Sequence, residues 1–323
     1  MGCTSGDYGE DGWPVQSDLL PGGIFRTHMT PSDKEYTIMT IADHANKRFT
    51  LREAIESTAF QLARDKSRVV IPIGRRVDGG LEVLDLHKTP NLLVAGSVTS
   101  GKTAFVHCVI ASLATCNRAD EVQLLLDDVT RVELVSYNEL PHMVRPTVVE
   151  LRETIATLGW LETQINIRSQ ELVRPEKANI DAHRQHELER PMPHLVLVIY
   201  ELADLMLCEP DLAEPLICRL ARSAPDAGVH LIIATQRPSP DVITARVKAN
   251  FPARACFNVV SPKDSRVILD MEGAERLGED SDMLFLSPES STPMRIQGCS
   301  ISEAEIDSLE ACGNLGPKPN DES

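Results

Sequence analysis

The stretch Leu92–Thr103, with the sequence LLVAGSVTSGKT, constrains the fold of this chain more than any other. An apolar run ends at Gly96, four residues follow, and a Gly-Lys-Thr triplet at 101–103 begins a second apolar stretch. This is the pattern G-x-x-x-x-G-K-[ST], whose glycines let successive backbone N–H groups turn toward a phosphate. Strand-like residues before the loop and helical spacing after it are the context that such a loop requires. The sequence therefore predicts a nucleotide-binding α/β domain.

The same loop predicts how a nucleotide is held. Lys102 is expected to reach the β- and γ-phosphate oxygens, and Thr103 is expected to ligate Mg²⁺. The helix that follows offers its positive N-terminal end to the phosphates. We therefore expect ATP and Mg²⁺ as cofactors, and we expect the nucleotide to contact the residues Gly96, Ser97, Val98, Thr99, Ser100, Gly101, Lys102, Thr103 and Ala104.

The charge balance limits the partners. The chain has 48 acidic residues against 32 lysines and arginines, a formal net charge of −16. A negative field of this size disfavours nonspecific binding to nucleic acids or anionic membranes. A locally basic DNA channel stays compatible with it.

Cysteine usage and hydropathy indicate a cytoplasmic protein. The eight cysteines are scattered, without a C-x-x-C pair or a histidine at ligand spacing. This is typical of reduced thiols and not of disulfides or a zinc site. No run approaches the roughly eighteen apolar residues of a membrane span, and the polar N-terminal stretch lacks a secretory signal. We expect any recruitment to a membrane to come from a partner.

Periodicity divides the chain into four parts. Residues 1–33 are rich in Gly, Asp, Ser and Pro, which is typical of a flexible leader. Residues 34–88 predict a small α+β cap, and residues 311–323 a polar tail. The intervening segment, 89–310, carries the loop and is predicted to be the main α/β domain.

The cap is predicted from two patterns. Helical spacing runs through Ala42–Ala63, and the apolar stretches Val69–Ile73 and Leu81–Leu86 flank an Asp-Gly-Gly turn. An Asp-Gly-Gly turn between apolar runs is typical of a β-hairpin.

In the main domain, strand and helix patterns alternate, which predicts a mostly parallel sheet flanked by helices. A helix is expected over Val149–Leu172, and the charged stretch Pro175–Glu189 is expected to be a solvated insertion or loop. The predicted strands are Leu92–Ala95, Val122–Leu126, Leu195–Ile199, Leu231–Ala234, Ala255–Val259, Asp282–Leu286 and Met294–Gly298.

The strand at Leu195–Ile199 leads into Tyr200 and Glu201. Motor ATPases end this strand with Asp-Glu, in which the Asp holds a magnesium-bound water and the Glu activates the attacking water. Glu201 has the position of that catalytic base, although a strand cap or a partner for a cation is the alternative role. Tyr200 has the position of the magnesium carboxylate, and a neutral phenol is a poor substitute for it.

Other polar residues at strand ends complete the candidate site. Gln236 follows the strand Leu231–Ala234, where it could sense a γ-phosphate or be an ordinary strand-end amide. Three further carboxylates could approach a metal through water, although capping or a surface ion pair is their more usual role: Asp127, Asp128 and Asp204.

Six stretches of the sequence follow one another collinearly over about residues 51–300. They are LREAIES, DLHKTPNLLVAG, VELVSYNELPHM, HLVLVIYELADLM, AGVHLIIATQRPSPDVITARVKANFPAR and SPKDSRVILDMEGAERL. Together they resemble the motor domain of the FtsK/SpoIIIE family of double-stranded-DNA translocases. The resemblance implies a RecA-like sheet, a hexameric ring with ATP between subunits, DNA threaded through the pore, and a role in chromosome partition. The membrane spans and the winged helix of longer members have no counterpart in this sequence.

Three departures from the family pattern affect the chemistry. The family usually has glycine where Thr99 stands, an Asp where Tyr200 stands, and at Pro225 a basic residue proposed to act on the γ-phosphate across a subunit interface. These departures predict intact nucleotide binding and impaired hydrolysis. Three nearby or retained arginines are Arg219, Arg222 and Arg266.

The residues expected to contact DNA lie in the segment Arg237–Arg254, with Arg246 and Lys248 as the candidates. Such cations would contact phosphates without reading bases, as suits a motor indifferent to sequence. A solvated helix of mixed charge is the alternative, and the resemblance favours the pore.

Three functions remain open at this point. The first is an ATP-driven translocase of double-stranded DNA that works as a homo- or hetero-oligomeric ring. The second is a regulatory or scaffold subunit that binds nucleotide but has lost hydrolysis, as Tyr200 and Pro225 suggest. The third is a related protein-secretion ATPase, which the acidic charge would suit, although the stretches ATQRPS and KANFP favour the DNA motor.

Overall fold

The computed structural model describes residues 16–20, 24–28, 38–40, 48–173, 192–278 and 281–313, and the chain divides into two compact units. The first unit, residues 1–48, contains an antiparallel sheet of three strands in sequential order. The first two strands fall in the segment interpreted as a leader, where the apolar runs are too short to predict strands. The strands are β1 (Gln16–Leu20), β2 (Ile24–His28) and β3 (Ile38–Thr40).

The second unit, residues 49–323, is built on nine strands. They are β4 (Val70–Arg76), β5 (Leu81–Asp85), β6 (Asn91–Ala95), β7 (Val122–Asp127), β8 (His194–Ile199), β9 (Val229–Thr235), β10 (Ala253–Phe257), β11 (Asp282–Leu286) and β12 (Met294–Gly298). They form one sheet in the order β5-β4-β12-β11-β10-β6-β9-β8-β7. The five strands from β10 to β7 are parallel, and the other four extend the sheet in antiparallel fashion.

Helices cover both faces of this sheet. The α-helices are α1 (Leu51–Glu56), α2 (Thr58–Arg64), α3 (Lys102–Cys116), α4 (Leu151–Val173), α5 (Leu202–Cys208), α6 (Pro210–Ser223), α7 (Ala245–Ala249), α8 (Pro262–Leu269) and α9 (Glu303–Gly313). Single 3₁₀ turns lie at Val135–Glu139, Pro225–Ala227 and Ala274–Arg276.

The central strands β6, β8 and β9 are buried along their whole length. Their near-continuous apolar sequences follow from this, because a parallel strand covered on both faces has no solvent side. Alternate residues serve opposite cores: Leu93 packs with α4 and α6, whereas Leu92 packs with Phe105 and Val109 of α3. The carboxyl ends of these strands meet at one edge, which we call the carboxyl edge.

The sequence prediction of a mostly parallel α/β sheet is confirmed. Each strand predicted in the main domain is present, with ends shifted by no more than about two residues, as is usual for such boundaries. The long helix begins at Leu151 and not at Val149. The predicted insertion Pro175–Glu189 and residues 314–323 of the predicted tail lie outside the described residues.

Two expectations about the cap are corrected. The hairpin β4–β5 is not a separate subdomain, because β4 pairs with β12 and continues the main sheet. Gly74 permits this pairing: a Cβ there would lie 2.2 Å from the carbonyl oxygen of Gln297. The helix predicted over Ala42–Ala63 is broken at Ser57, which ends α1 and whose hydroxyl caps α2.

Among the described residues, no helix has the length and apolar character needed to cross a lipid bilayer. Six of the eight cysteines have described side chains; these six are free thiols, and four of them are buried. Burial raises the pKa of these buried thiols, for example that of Cys299 to about 12. A thiol with so high a pKa is a weak nucleophile.

Candidate functional site

The phosphate-binding loop connects β6 to α3 at the carboxyl edge. Gly101 precedes α3 with φ +96°, and no side chain caps the helix. The first-turn N–H groups of a helix have no intrahelical acceptor, so those of α3 point into the loop. Glycine is required at both ends of the loop, because a Cβ at Gly96 would lie 2.6 Å from Ser100 Oγ and one at Gly101 would lie 2.5 Å from Ser281 Cα.

Hydrogen bonds made by two serines hold the loop in place. Ser97 donates through N–H to the carbonyl oxygen of Asn258 at 2.8 Å, and the Ser100 hydroxyl donates to the carbonyl oxygen of Ser97 at 2.7 Å. Val98 and Thr99 are exposed at the tip. Thr99 adopts φ +66°, the left-handed region that favours glycine. The departure from glycine at this position therefore introduces local backbone strain.

Lys102 is the most unusual charge in the site. Its side chain is only 2% exposed, and Nζ has no hydrogen-bond partner among the described residues. Burial lowers the pKa of Lys102 to about 8, although the carboxylates of Glu201, Glu133 and Asp128 act in the opposite direction. A buried ammonium group without an acceptor is costly, so this arrangement is suited to an anionic ligand.

Tyr200 connects the two residues that the loop sequence assigned to phosphate and metal. Its hydroxyl lies 2.6 Å from Thr103 Oγ1, and its ring centroid lies 4.2 Å from Lys102 Nζ. Burial raises the pKa of Tyr200 to about 12, while hydrogen bonds to Thr103 and Gln236 partly offset this rise. The hydroxyl that was predicted to ligate Mg²⁺ is thus bonded to a neutral phenol.

Glu201 is fixed in place by the end of β9. Its Oε1 accepts from the Thr235 hydroxyl at 2.6 Å and from the Ala203 N–H at 3.1 Å, where it caps α5. Its Oε2 accepts from the Gln236 backbone N–H at 2.9 Å. The structure thus places Glu201 and Gln236 together, beside the same tyrosine, as expected if both face a γ-phosphate. Glu201 also makes strand-end and capping hydrogen bonds, which agree with its alternative role as a cap.

The two aspartates at the carboxyl end of β7 are both buried. Asp128 is fully buried and accepts backbone N–H bonds from the turn 130–134, including those of Glu133 and Leu134 at 2.8 and 2.9 Å. Asp127 is 2% exposed, its Oδ2 has no hydrogen-bond partner among the described residues, and burial raises its pKa to about 7. Asp128 is therefore a loop anchor, in line with the more usual role expected for it.

The candidate DNA contacts are already paired with carboxylates. Arg246 is 66% exposed and lies 3.3 Å from Glu214 Oε2, measured from Nη1. Lys248 is only 19% exposed, and its Nζ lies 2.7 Å from Asp270 Oδ1. Arg246 lies in the short helix α7 and remains accessible to a phosphate, whereas Lys248 is largely committed to a structural ion pair.

Of the three arginines that could replace a basic residue at position 225, two are paired with carboxylates. Arg219 binds Glu162 at 2.7 Å through Nε, and Arg266 binds Glu272. Arg222 is exposed on α6.

Sequence reasoning missed one residue of the site and the detailed role of another. Thr235 orients Glu201, and the available signal was a polar residue closing the apolar strand VHLIIAT. Asp128 was among the candidate carboxylates, but the turn that it organises, which brings Glu133 near Lys102, was not predicted.

Comparison with known proteins agrees with this geometry. A family model described as FtsK/SpoIIIE family matches residues 50–240. The chain is 39% identical over 271 residues to the DNA translocase SftA of Bacillus subtilis (strain 168), a match that covers 83% of this chain and 28% of SftA. It is 41% identical over 261 residues to the DNA translocase FtsK of Clostridium acetobutylicum, covering 80% and 34% of the two chains. The chain spans about a third of the length of the curated relatives it matches.

Two solved structures share the fold. The pCW3 conjugation coupling protein TcpA, in its monomer form with ATPγS, has a TM-score of 0.72 at 19% identity, covering 94% of this chain and 95% of TcpA. The cytoplasmic domain of the type VII secretion ATPase EccC of Thermomonospora curvata has a TM-score of 0.71 at 20% identity, covering 85% and 35%. The sheet around the loop therefore has the RecA-like fold that the sequence predicts.

Proposed function

The chain belongs to the FtsK/SpoIIIE family, and on that premise we propose that it is an ATP-binding motor that couples ATP binding and hydrolysis to the translocation of double-stranded DNA. We propose that it works in the cytoplasm as a ring of identical or different subunits, with a hexamer as the expected form. The relatives named DNA translocase support DNA as the substrate.

The observation that carries the proposal is the environment of Lys102. A side chain that is 2% exposed holds an ammonium group without an acceptor, directly after a glycine that leaves the helix end uncapped. A triphosphate supplies the counter-charge that this group lacks, and the N–H groups of the first turn of α3 supply donors to the same oxygens. ATP binding thus relieves the cost of the buried charge.

Glu201 and Gln236 are proposed to act on the γ-phosphate. Three hydrogen bonds fix the Glu201 carboxylate, so its orientation does not have to be established when the nucleotide arrives. A fixed carboxylate at this position can accept a proton from an attacking water. Gln236, whose backbone N–H donates to Glu201 Oε2, is proposed to sense the γ-phosphate.

The experiment that tests the proposal is steady-state ATP hydrolysis with and without long duplex DNA. The parent chain is expected to hydrolyse ATP faster with DNA, and Lys102→Ala is expected to abolish that activity. Lys263→Ala is the matched control, since Lys263 is an exposed lysine on α8. Glu201→Gln should lower turnover at least about tenfold while ATP still binds, as expected for loss of a general base, whereas Asp204→Asn one turn further along α5 should not.

Other outcomes would contradict the proposal. ATP binding without turnover in the parent, with turnover gained in Tyr200→Asp, would instead indicate a hydrolysis-deficient subunit. Turnover stimulated by a polypeptide and indifferent to DNA would indicate a protein-moving ATPase.

A further inference from the structure

Among the residues that the structure describes, those around the loop do not provide the magnesium site that the family implies. Thr103 Oγ1, the expected ligand, is 2.6 Å from the Tyr200 hydroxyl. The strand-end residue that should hold the metal-bound water is that same tyrosine, which carries no charge at neutral pH. Mg²⁺ prefers charged oxygen ligands and near-ideal octahedral geometry, so a neutral phenol beside its threonine ligand fits the ion poorly.

Two of the described carboxylates near the loop, those of Glu201 and Asp128, are already engaged elsewhere. Both oxygens of Glu201 accept hydrogen bonds from the end of β9 and the start of α5. Both oxygens of Asp128 accept bonds from the turn that follows β7. Several hydrogen bonds hold each of these carboxylates in place, and moving either one toward a metal would weaken those bonds, which costs stability.

Tyr200 instead has contacts on both sides that suit a phosphate-binding role. Its ring lies under the Lys102 ammonium group at 4.2 Å, a cation–π contact that holds the lysine without using its N–H donors. Its hydroxyl can accept a hydrogen bond from Thr103, which leaves the phenol proton free for another acceptor. The side chain of Gln236 lies within reach of the same hydroxyl.

We infer that Tyr200 takes the place of the magnesium ion: its hydroxyl accepts from Thr103 and donates to a phosphate oxygen, so that this chain binds a nucleoside triphosphate without a divalent cation. The inference rests on the proposed nucleotide binding. Charge compensation comes from Lys102 and the N-terminus of α3.

The test measures the Kd for ATP by calorimetry, once in EDTA and once with excess Mg²⁺. Three proteins are compared: the parent chain, Tyr200→Asp and Tyr200→Phe. The parent is expected to change its affinity by less than about threefold between the two conditions. Tyr200→Asp, which restores the carboxylate, is expected to bind ATP at least about tenfold more tightly with Mg²⁺ than in EDTA. Tyr200→Phe should lose about three- to tenfold in EDTA, the contribution of one hydrogen bond.

A second buried tyrosine provides the matched control. Tyr137 bonds His107 Nδ1 at 2.8 Å, one turn beyond Thr103 on the same face of α3. Tyr137→Phe removes a buried phenol hydroxyl without changing a partner of Thr103 or Lys102, so it should leave the ATP affinity in EDTA unchanged. Thermal melting of each variant without nucleotide identifies any that fails to fold.

Each result decides between the alternatives. Parent binding that weakens more than about tenfold in EDTA overturns the inference and leaves the proposed function intact. Unchanged affinity of Tyr200→Phe in EDTA overturns the donor role of the hydroxyl. Absence of ATP binding in both conditions overturns the proposed function itself.

Discussion

Two buried charged side chains at the carboxyl edge have a polar atom without a described partner, whereas the cations on the surface around α7 are paired with carboxylates. At the carboxyl edge, Lys102 and Asp127 are each 2% exposed and carry a polar atom without a hydrogen-bond partner among the described residues. Around α7, each cation has a carboxylate within 3.3 Å or less. We call this second region the α7 face, and its residues are Glu214, Arg246, Lys248, Arg254 and Asp270.

The difference distinguishes a candidate binding site, where buried charged groups have atoms without a described partner, from a surface where each cation already has a carboxylate. A buried charge without a partner destabilises the free protein, and a ligand of opposite charge can recover that energy on binding. An exposed cation that already has a carboxylate gains little from a new partner, because the old pair must first be broken. On this basis the nucleotide site should show large effects on mutation, and the α7 face small ones.

The largest effect is expected at Lys102. Lys102→Met should weaken ATP binding by about 10²–10³-fold, since charge-assisted hydrogen bonds to phosphate are lost. The same change should raise the free energy of unfolding of the nucleotide-free protein by about 1–3 kcal/mol, because it removes a buried charge without an acceptor. Calorimetric ATP titration and urea denaturation measure the two effects. Lys263→Met is the control, and a destabilised Lys102→Met protein would contradict this view of the site.

A pH-dependent effect is expected at Asp127. Its folded pKa of about 7 lies above the unfolded value of 3.8, so the native state holds more protons between these pH values. The stability contribution of this group is therefore complete below about pH 4 and lost as the pH rises through 7. Asp127→Asn should therefore stabilise the protein by about 1–2 kcal/mol more at pH 8 than at pH 5, since part of the contribution is already lost at pH 5. Urea denaturation at the two pH values measures this, and an equal gain at both would mean that the charge is not the cause.

The α7 face should respond more weakly. Glu214→Ala releases Arg246 and should raise the affinity for duplex DNA about two- to fivefold, the size expected for an exposed ion pair. Arg246→Ala should lower it and reduce the salt slope by about 0.9, the value for one phosphate contact. Fluorescence anisotropy over a salt series measures both.

The double variant provides the stricter check on Arg246. Combining Glu214→Ala with Arg246→Ala should return the affinity to that of Arg246→Ala alone. Arg52→Ala is the control, because Arg52 is a similarly exposed arginine paired with Glu56 on α1. Unchanged DNA affinity in Glu214→Ala would remove the α7 face from the DNA-binding surface.

The smallest effect is expected at Thr99. Thr99→Gly relieves a backbone held at φ +66°, and the added freedom of glycine in the unfolded chain offsets part of the gain. A net stabilisation of about 0.5 kcal/mol is expected, measured by urea denaturation. A loss of stability would show that the threonine side chain contributes more to the loop than its backbone conformation costs.

The sequence predicted most of the main sheet, because its central strands are buried on both faces and therefore appear as apolar runs. It failed where an element depends on a distant partner. The hairpin β4–β5 looked like a separate cap, since its pairing with β12 joins residues more than two hundred positions apart. The strands β1 and β2 have no comparable apolar run.

At the candidate site, the sequence predicted the positions of the residues better than the contacts that these residues make. Gly96–Thr103, Glu201 and Gln236 lie where the motif and the strand pattern placed them, whereas Thr235 was missed as the residue that orients Glu201. Lys248 was expected to be available for DNA, and its ion pair with Asp270 could not be inferred from a helix of five residues and a residue beyond β10.

By itself, the sequence determined that this chain contains a phosphate-binding loop and that a tyrosine replaces the magnesium carboxylate. Both follow from local patterns, because the spacing of the glycines sets the backbone of the loop and the apolar strand sets the position of its final residue. Only the tertiary structure decided that the Tyr200 hydroxyl meets Thr103, across 97 positions of the chain, and that the same ring lies under Lys102. The physical reason is that β6 and β8 lie on either side of β9, so packing between distant segments decides which groups meet at the carboxyl edge.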